Sequence, residues 1–483
     1  MILRAQTPVI AVLIILGVVL FSIFIGQSVV TMPYFVPFAL VVGTLAFLAA
    51  LTSTELAMIM LIYAMLLSPE LTLGAVSRYR HLVIRFDDIV VVTFTLAWLT
   101  QAAIYRKGLI AKTPLNRYIG FYCFAFFVAT AKGVITSDVK LASGFFNVLK
   151  YLEYFFIYYL VAGATRDKKT LRSCVIAFII TYVIVMVYAG SQIGTTFRVS
   201  APFERQGGYE GEPNTLGGYQ VLLLGLILGL LSHFHFIRWR WPLIGLAGLS
   251  LIPFAFTLSR SSYIAIIPMY LTVVLFHKFR GRNILLGALI VVTVLAIYFF
   301  PENVRKRLEY TFIPEYQETV KPAKLFGVTL DPSSSARLND YNRLMGIWRQ
   351  KPLLGYGLTG MGFVDGQYIL VLIETGALGF AAFILLLGAI FRNTLRIYRN
   401  SRDELYKGLA LGFLGGHVGM MVHAITANTF ILIRVMEPYW FLAALVMITP
   451  RLEKEQENKA ALRDAPAAPY PRNARFLANY GNT

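Results

Sequence analysis

Apolar residues run along this chain in uninterrupted stretches of roughly 20, without the alternation of period two that marks a half-buried strand. Such stretches lie near 8–30, 34–52, 54–70, 87–105, 116–134, 143–163, 170–190 and 213–232, and again near 241–257, 260–277, 283–300, 366–391, 408–430 and 434–450. Hydrocarbon offers no hydrogen bonds, so each backbone polar group must be satisfied inside its own segment, which selects helices over open strands. The pattern predicts an all-α integral membrane protein with about 12 to 14 transmembrane helices. The first stretch follows Met1-Ile2-Leu3-Arg4 and has no small-residue cleavage pattern, which reads as a retained helix and not a removed signal.

The polar residues between these stretches orient them. Lys and Arg beside a span stay in the cytoplasm, so alternate connectors should be basic. Arg106, Lys107, Lys112 and Arg117 fill one connector, and Arg166, Lys168, Lys169 and Arg172 the next. Arg238 and Arg240 follow, then Lys278, Arg280 and Arg282, then Arg392, Arg396, Arg399, Arg402 and Lys407. An even number of spans puts both termini in the cytoplasm. The connector with Arg78, Arg80 and Arg85 falls outside on this scheme, partly offset by Asp87 and Asp88.

Two connectors are longer, and both face away from the cytoplasm: Gln192 to Glu212, and Pro301 to Asp365. A loop of the second length should carry its own helices. The run from Ser335 to Gln350 has helical spacing of Leu338, Tyr341, Leu344, Met345 and Trp348, with Ser residues to cap its start and Pro352 to stop it. The expected organisation is transmembrane helices over 1–300 with a short non-cytoplasmic loop at 191–212, a non-cytoplasmic loop with helices over 301–365, C-terminal spans over 366–450, and a flexible cytoplasmic tail over 451–483.

Composition agrees with a lipid-solvated chain: 57% of the 483 residues are hydrophobic and 14% charged, at a mean hydropathy of +0.65. The net charge of +19 is explained by the cytoplasmic connectors, and no aromatic-basic nucleic-acid motif accompanies it. Cys123 and Cys174 fall in different spans and support neither a disulfide framework nor a metal site. No His-Glu-x-x-His motif or acidic metal cluster is visible, so nothing in the sequence calls for a metal or other cofactor.

Lys351-Pro-Leu-Leu-Gly-Tyr-Gly-Leu-Thr-Gly-Met-Gly-Phe, followed by Asp365-Gly-Gln-Tyr-Ile-Leu-Val-Leu-Ile-Glu-Thr-Gly, resembles the signature of the bacterial O-antigen ligase and Wzy polysaccharide polymerase superfamily. Arg205-Gln-Gly-Gly-Tyr-Glu-Gly-Glu-Pro-Asn resembles the Arg-x-x-Gly…Pro-Asn segment of that superfamily, and Leu258-Ser-Arg-Ser-Ser-Tyr its Ser-Arg span start. The order of the three pieces is more specific than any one of them. The resemblance implies a GT-C-like membrane enzyme: an inverting, metal-independent glycosyltransferase that moves glycan from undecaprenyl diphosphate to an acceptor glycan on the periplasmic side of the inner membrane. It also raises a chain-length regulator as a partner. In the ligase branch the position of Asp365 is a His followed by Asn; Asp-Gly here points toward a polymerase.

A departing lipid diphosphate needs donors that stay charged, and the planar guanidinium matches phosphate oxygens bidentately. Arg205, Arg260 and Arg198 are the candidates to bind it, with interfacial snorkelling as the alternative for Arg260. Asp365 is the candidate base for the acceptor hydroxyl. Its alternative is to cap the helix that follows. Arg337, Arg343 and Tyr368 are candidates to contact acceptor or glycan, although arginines on an exposed helix are mostly solvated. Glu374, deep in its span, reads as a packing or hydrogen-bonding group, and Gly376 and Gly379 as sites of close helix approach. Ligation to a lipid core or transfer to protein are alternatives within this class. A transporter or lipid-glycan flippase is the alternative outside it, disfavoured because the two halves show no clear repeat.

Overall fold

The structure is a computed structural model that describes residues 35–68, 70–77, 80–104, 111–202, 212–233, 237–277, 324–325, 328–329, 332–362 and 364–464. The helices in chain order are α1 (Phe35–Thr52), α2 (Thr54–Leu67), α3 (Phe86–Ile104), α4 (Asn116–Ile135), α5 (Leu141–Ala164), α6 (Lys168–Ser191) and α7 (Pro213–His233). They continue with α8 (Ile237–Phe256), α9 (Arg260–Phe276), α10 (Pro332–Trp348), α11 (Gln367–Asn400), α12 (Glu404–His423) and α13 (Ile433–Asp464). Each apolar stretch within the described residues becomes one helix, and α10 is the expected loop helix. The stretches 8–30 and 283–300, most of the 301–331 segment and residues 465–483 lie outside the described residues.

The chain is an all-α integral membrane protein. α4, α6, α7, α11 and α12 are each long and apolar enough to cross a bilayer. Polar residues set the starts of several helices: Ser53 accepts from the amide of Leu56, Asp167 from that of Thr170, and Asp403 from that of Leu405.

At the centre, α7 is buried over most of its length and packs against α12. Lipid tails are as apolar as leucine, so helices associate in a bilayer through close packing of small residues. Gly225 and Gly229 of α7 meet Gly408, Gly412 and Gly416 of α12, where a Cβ on Gly229 would stand 2.2 Å from the Gly412 nitrogen. The close approach expected of Gly376 and Gly379 is therefore made elsewhere. A Cβ on Gly379 would meet Thr375 of its own helix, and Gly376 has a different use.

Two small antiparallel hairpins add to the helical pattern. One pairs β1 (Glu70–Ser77) with β2 (Arg80–Arg85), and the other pairs β3 (Lys324–Leu325) with β4 (Val328–Thr329). The tail also differs from expectation, because α13 continues past Arg451 to Asp464. Arg451 donates to the carbonyls of Ala162 (3.2 Å) and Thr165 (2.7 Å), while Glu453 accepts from Ser401 Oγ (2.8 Å) and the Arg402 amide (2.7 Å). These bonds dock the first part of the tail on the bundle.

Candidate active site

The motif Pro352-Leu-Leu-Gly-Tyr-Gly forms a turn that inserts into a break in α11. At Gly376 the backbone leaves the helix (φ 66°, ψ −170°), which frees amides and carbonyls at membrane depth. The turn satisfies them. Tyr356 N donates to Ile373 O (2.9 Å) and Gly357 N to Glu374 O (2.8 Å), while Ala377 N donates to Pro352 O (2.8 Å) and Leu378 N to Leu353 O (3.2 Å). Only glycine fits at Gly355, where φ is 62° and a Cβ would stand 2.3 Å from Ile373 O. From α4, Lys132 Nζ donates to Gly355 O (2.9 Å). Lys351 pairs with Asp138 in the loop after α4, and that hydrogen bond is the largest influence holding the Asp138 carboxyl below its ordinary range. Glu374 is buried, and its Oε1 accepts from the Thr359 amide at 2.7 Å, which agrees with a hydrogen-bonding role.

Above the break lies a cavity of about 360 Å³. α5 contributes Asn147 and Lys150, the start of α7 contributes Glu212 and Asn214, and the start of α11 contributes Asp365 and Glu374. Asn428, after α12, closes one side and donates to Val364 O at 2.6 Å. A buried polar chain fixes two of these walls: Ser259 Oγ donates to Asn214 Oδ1 (2.7 Å) and contacts Ser262 Oγ (2.8 Å), which meets His423 Nε2 (3.1 Å), while His423 Nδ1 reaches Thr429 (2.7 Å).

From Lys150 in the α5 wall a set of half-buried and buried charges extends inward. Lys150 Nζ sits 2.7 Å from Asp88 and 2.8 Å from Glu153. Arg85 pairs with Asp87 and lies 3.6 Å from Glu437, while Arg434 donates to the carbonyls of Leu66 (3.0 Å) and Ser68 (3.1 Å). Arg85, an exception in the charge pattern of the connectors, is thus an internal counter-ion. Carboxylate oxygens of Asp88, Glu153 and Glu437 lie within 4.8 Å of one another, an arrangement able to hold a cation. Among the described residues, the Lys150 ammonium lies beside two of them. The cluster was invisible in the sequence because its carboxylates come from three separate helices.

Glu212 is open towards the cavity. Partial burial of its carboxyl raises its pKa; the charge of Asp365 adds to this and that of Arg198 opposes it.

Of the described candidates, Asp365 alone lines the cavity. Arg337 Nε donates to Asp365 Oδ2 at 3.1 Å, which joins the loop helix α10 to the cavity rim. The capping alternative for Asp365 is not what the fold uses: Gly366 occupies the cap position of α11, with no side-chain cap bond. Arg198 donates to the carbonyls of Thr257 (3.0 Å) and Leu258 (3.1 Å), closing the end of α8. Arg260 opens α9 and is half-buried. Arg205 lies outside the described residues. Arg343 is exposed and pairs with Asp340 (3.1 Å), and the Tyr368 hydroxyl donates to Met421 O (2.7 Å). Sequence reasoning missed Lys150, Asn147, Asn428 and the part played by Glu212. Lys150 and Glu153, ionisable groups three apart inside an apolar span, were the available signal.

Residues 245–384 match the O-antigen ligase family. No curated protein matches the chain. The matched region runs from α8 through the loop helix into α11, and so contains the inserted turn, Asp365, Arg337 and Arg260. This family supports activity of the ligase or polymerase type in general, on lipid-linked glycan and acceptor substrates in a membrane. Asn147, Lys150, Glu212 and Asn214 precede the matched region, so the cavity joins that region to the helices before it.

Proposed function

We propose that this protein is a polysaccharide polymerase, of O-antigen or exopolysaccharide type, that transfers a growing glycan from undecaprenyl diphosphate to an acceptor glycan. The observation that carries this reading is the cavity between the ligase-type domain and α5, with Asp365 at its rim in place of the histidine of the ligase branch. The acceptor hydroxyl attacks the anomeric carbon from the side opposite the diphosphate, which inverts that centre. A carboxylate at the cavity accepts the hydroxyl proton, and Asp365 is the one the motif singles out. Arg205 and Arg260, with Arg198 nearby, are the proposed partners of the departing diphosphate, and Arg337, Arg343 and Tyr368 those of the acceptor glycan. Lys150 supplies fixed positive charge in the cavity wall, in keeping with chemistry that needs no metal. The face with the cavity is the one opposite the basic connectors, the periplasmic face of a bacterial inner membrane, where a chain-length regulator would meet it.

Acceptor choice separates polymerase from ligase. Purified protein offered lipid-linked repeat units together with lipid A-core, or with an acceptor protein, is expected to lengthen the repeat-unit glycan. Label appearing on lipid A-core or on protein alone would reassign it as a ligase or a protein oligosaccharyltransferase.

A further inference from the structure

If glycosyl transfer occurs in this cavity, as proposed above, three acidic side chains among the described residues compete to receive the acceptor proton, and their surroundings separate them. Glu374 is buried, with Oε1 taken by the Thr359 amide. Asp365 has Oδ2 engaged by Arg337 at 3.1 Å, so receiving a proton there would undo an ion pair with the loop helix. Glu212 stands directly before Pro213, the first residue of α7, and faces the cavity with Asp365. Its place is fixed from behind: two residues on, Asn214 is bonded to Ser259 at 2.7 Å, and the chain through Ser262 and His423 ties that point to Thr429.

We propose that Glu212 takes the acceptor proton, and that Asp365, held by Arg337, positions the acceptor. In the step itself the acceptor oxygen bonds to the anomeric carbon as the bond from that carbon to the diphosphate oxygen breaks. The electron pair of the broken bond leaves with the lipid diphosphate, and the hydroxyl proton moves to the Glu212 carboxylate. The Glu212 carboxyl, open to the cavity and with its pKa raised by burial, is free to take the proton, while Asp365 is held in its contact with Arg337. Among the described residues, the charged groups that share the cavity or act on Glu212 are Asp365 and Glu374 from the α11 side, Lys150 from α5 and Arg198 from the preceding loop, with Arg337 behind Asp365.

The test is the pH dependence of transfer by the full-length protein in nanodiscs, read as release of lipid diphosphate from lipid diphosphate-linked repeat units. Glu212→Gln is expected to lower the rate about 100-fold or more while leaving the thermal unfolding midpoint in place. Glu212→Asp should restore activity with an acid limb. Asp365→Asn removes a charge that adds to burial in raising the Glu212 pKa, so it should raise KM for the acceptor more than it lowers kcat and move the acid limb of the remaining activity to lower pH. Arg198→Gln should move the limb the other way. Loss of activity in Asp365→Asn with activity retained in Glu212→Gln would overturn this assignment and leave the transfer reading intact. An acid limb that stays fixed in both Asp365→Asn and Arg198→Gln would overturn it too. A wild-type protein that releases no lipid diphosphate at any pH would overturn the transfer reading itself, and this assignment with it.

Discussion

Lys150 is half-buried between Asp88 and Glu153, with Glu437 close behind. Removing one member of such a set costs more than the pair contributes, because the remaining charges stay desolvated without compensation. Lys150→Met is expected to destabilise the protein by roughly 3 kcal/mol, measured by chemical denaturation in detergent, with Lys150→Arg recovering part of the loss. An unchanged midpoint in Lys150→Met would mean that water already neutralises the cluster. Arg337 acts on a different quantity. Its bond to Asp365 orients the rim, so Arg337→Gln should raise KM for the acceptor more than it lowers kcat; steady-state kinetics with varied acceptor check this, and a fall in kcat alone would contradict it. The sequence singled out Asp365 by its motif. It could not show that Arg337, 28 positions earlier, would meet it, because that contact depends on how the loop helix folds back.

The helices were legible because lipid imposes one rule on every span, and a run of about 20 apolar residues has few other outcomes. The break in α11 was not. Glu374-Thr-Gly376 sits inside an unbroken apolar period, and only the turn from Pro352 to Gly357, arriving from outside the helix, supplies the bonds that make a break tolerable. Hairpin β1–β2 escaped detection because its short strands lie in a basic connector between two long apolar stretches. Gly376→Ala places a Cβ 2.3 Å from the Leu353 carbonyl in a left-handed backbone position, so it should cost roughly 2–3 kcal/mol and lower activity by displacing Glu374 from the cavity wall. Thermal unfolding and the transfer assay read the two effects. Gly229→Leu, which forces α7 away from α12, should prevent accumulation of monodisperse protein, as followed by size-exclusion chromatography.

Among the described residues, the basic connectors lie at one end and the cavity with its loop helix at the other. Cysteine substitutions at Asp340 and Arg402, both in exposed positions, should react with a membrane-impermeant maleimide from opposite sides of the inner membrane, with Asp340→Cys reached from the periplasm. Labelling of both from one side would contradict the charge-based orientation. The cavity is also where matched and unmatched parts of the chain meet, which is why motif reading found one wall and missed the wall formed by α5. The most direct test of glycosyl transfer uses the purified wild-type protein in nanodiscs with doubly labelled donor, one label on the glycan and one on the lipid. A ladder of lengthening glycan is expected, with one lipid diphosphate released for each bond formed. Movement of intact labelled lipid across the bilayer with no bond made and no diphosphate released would contradict it.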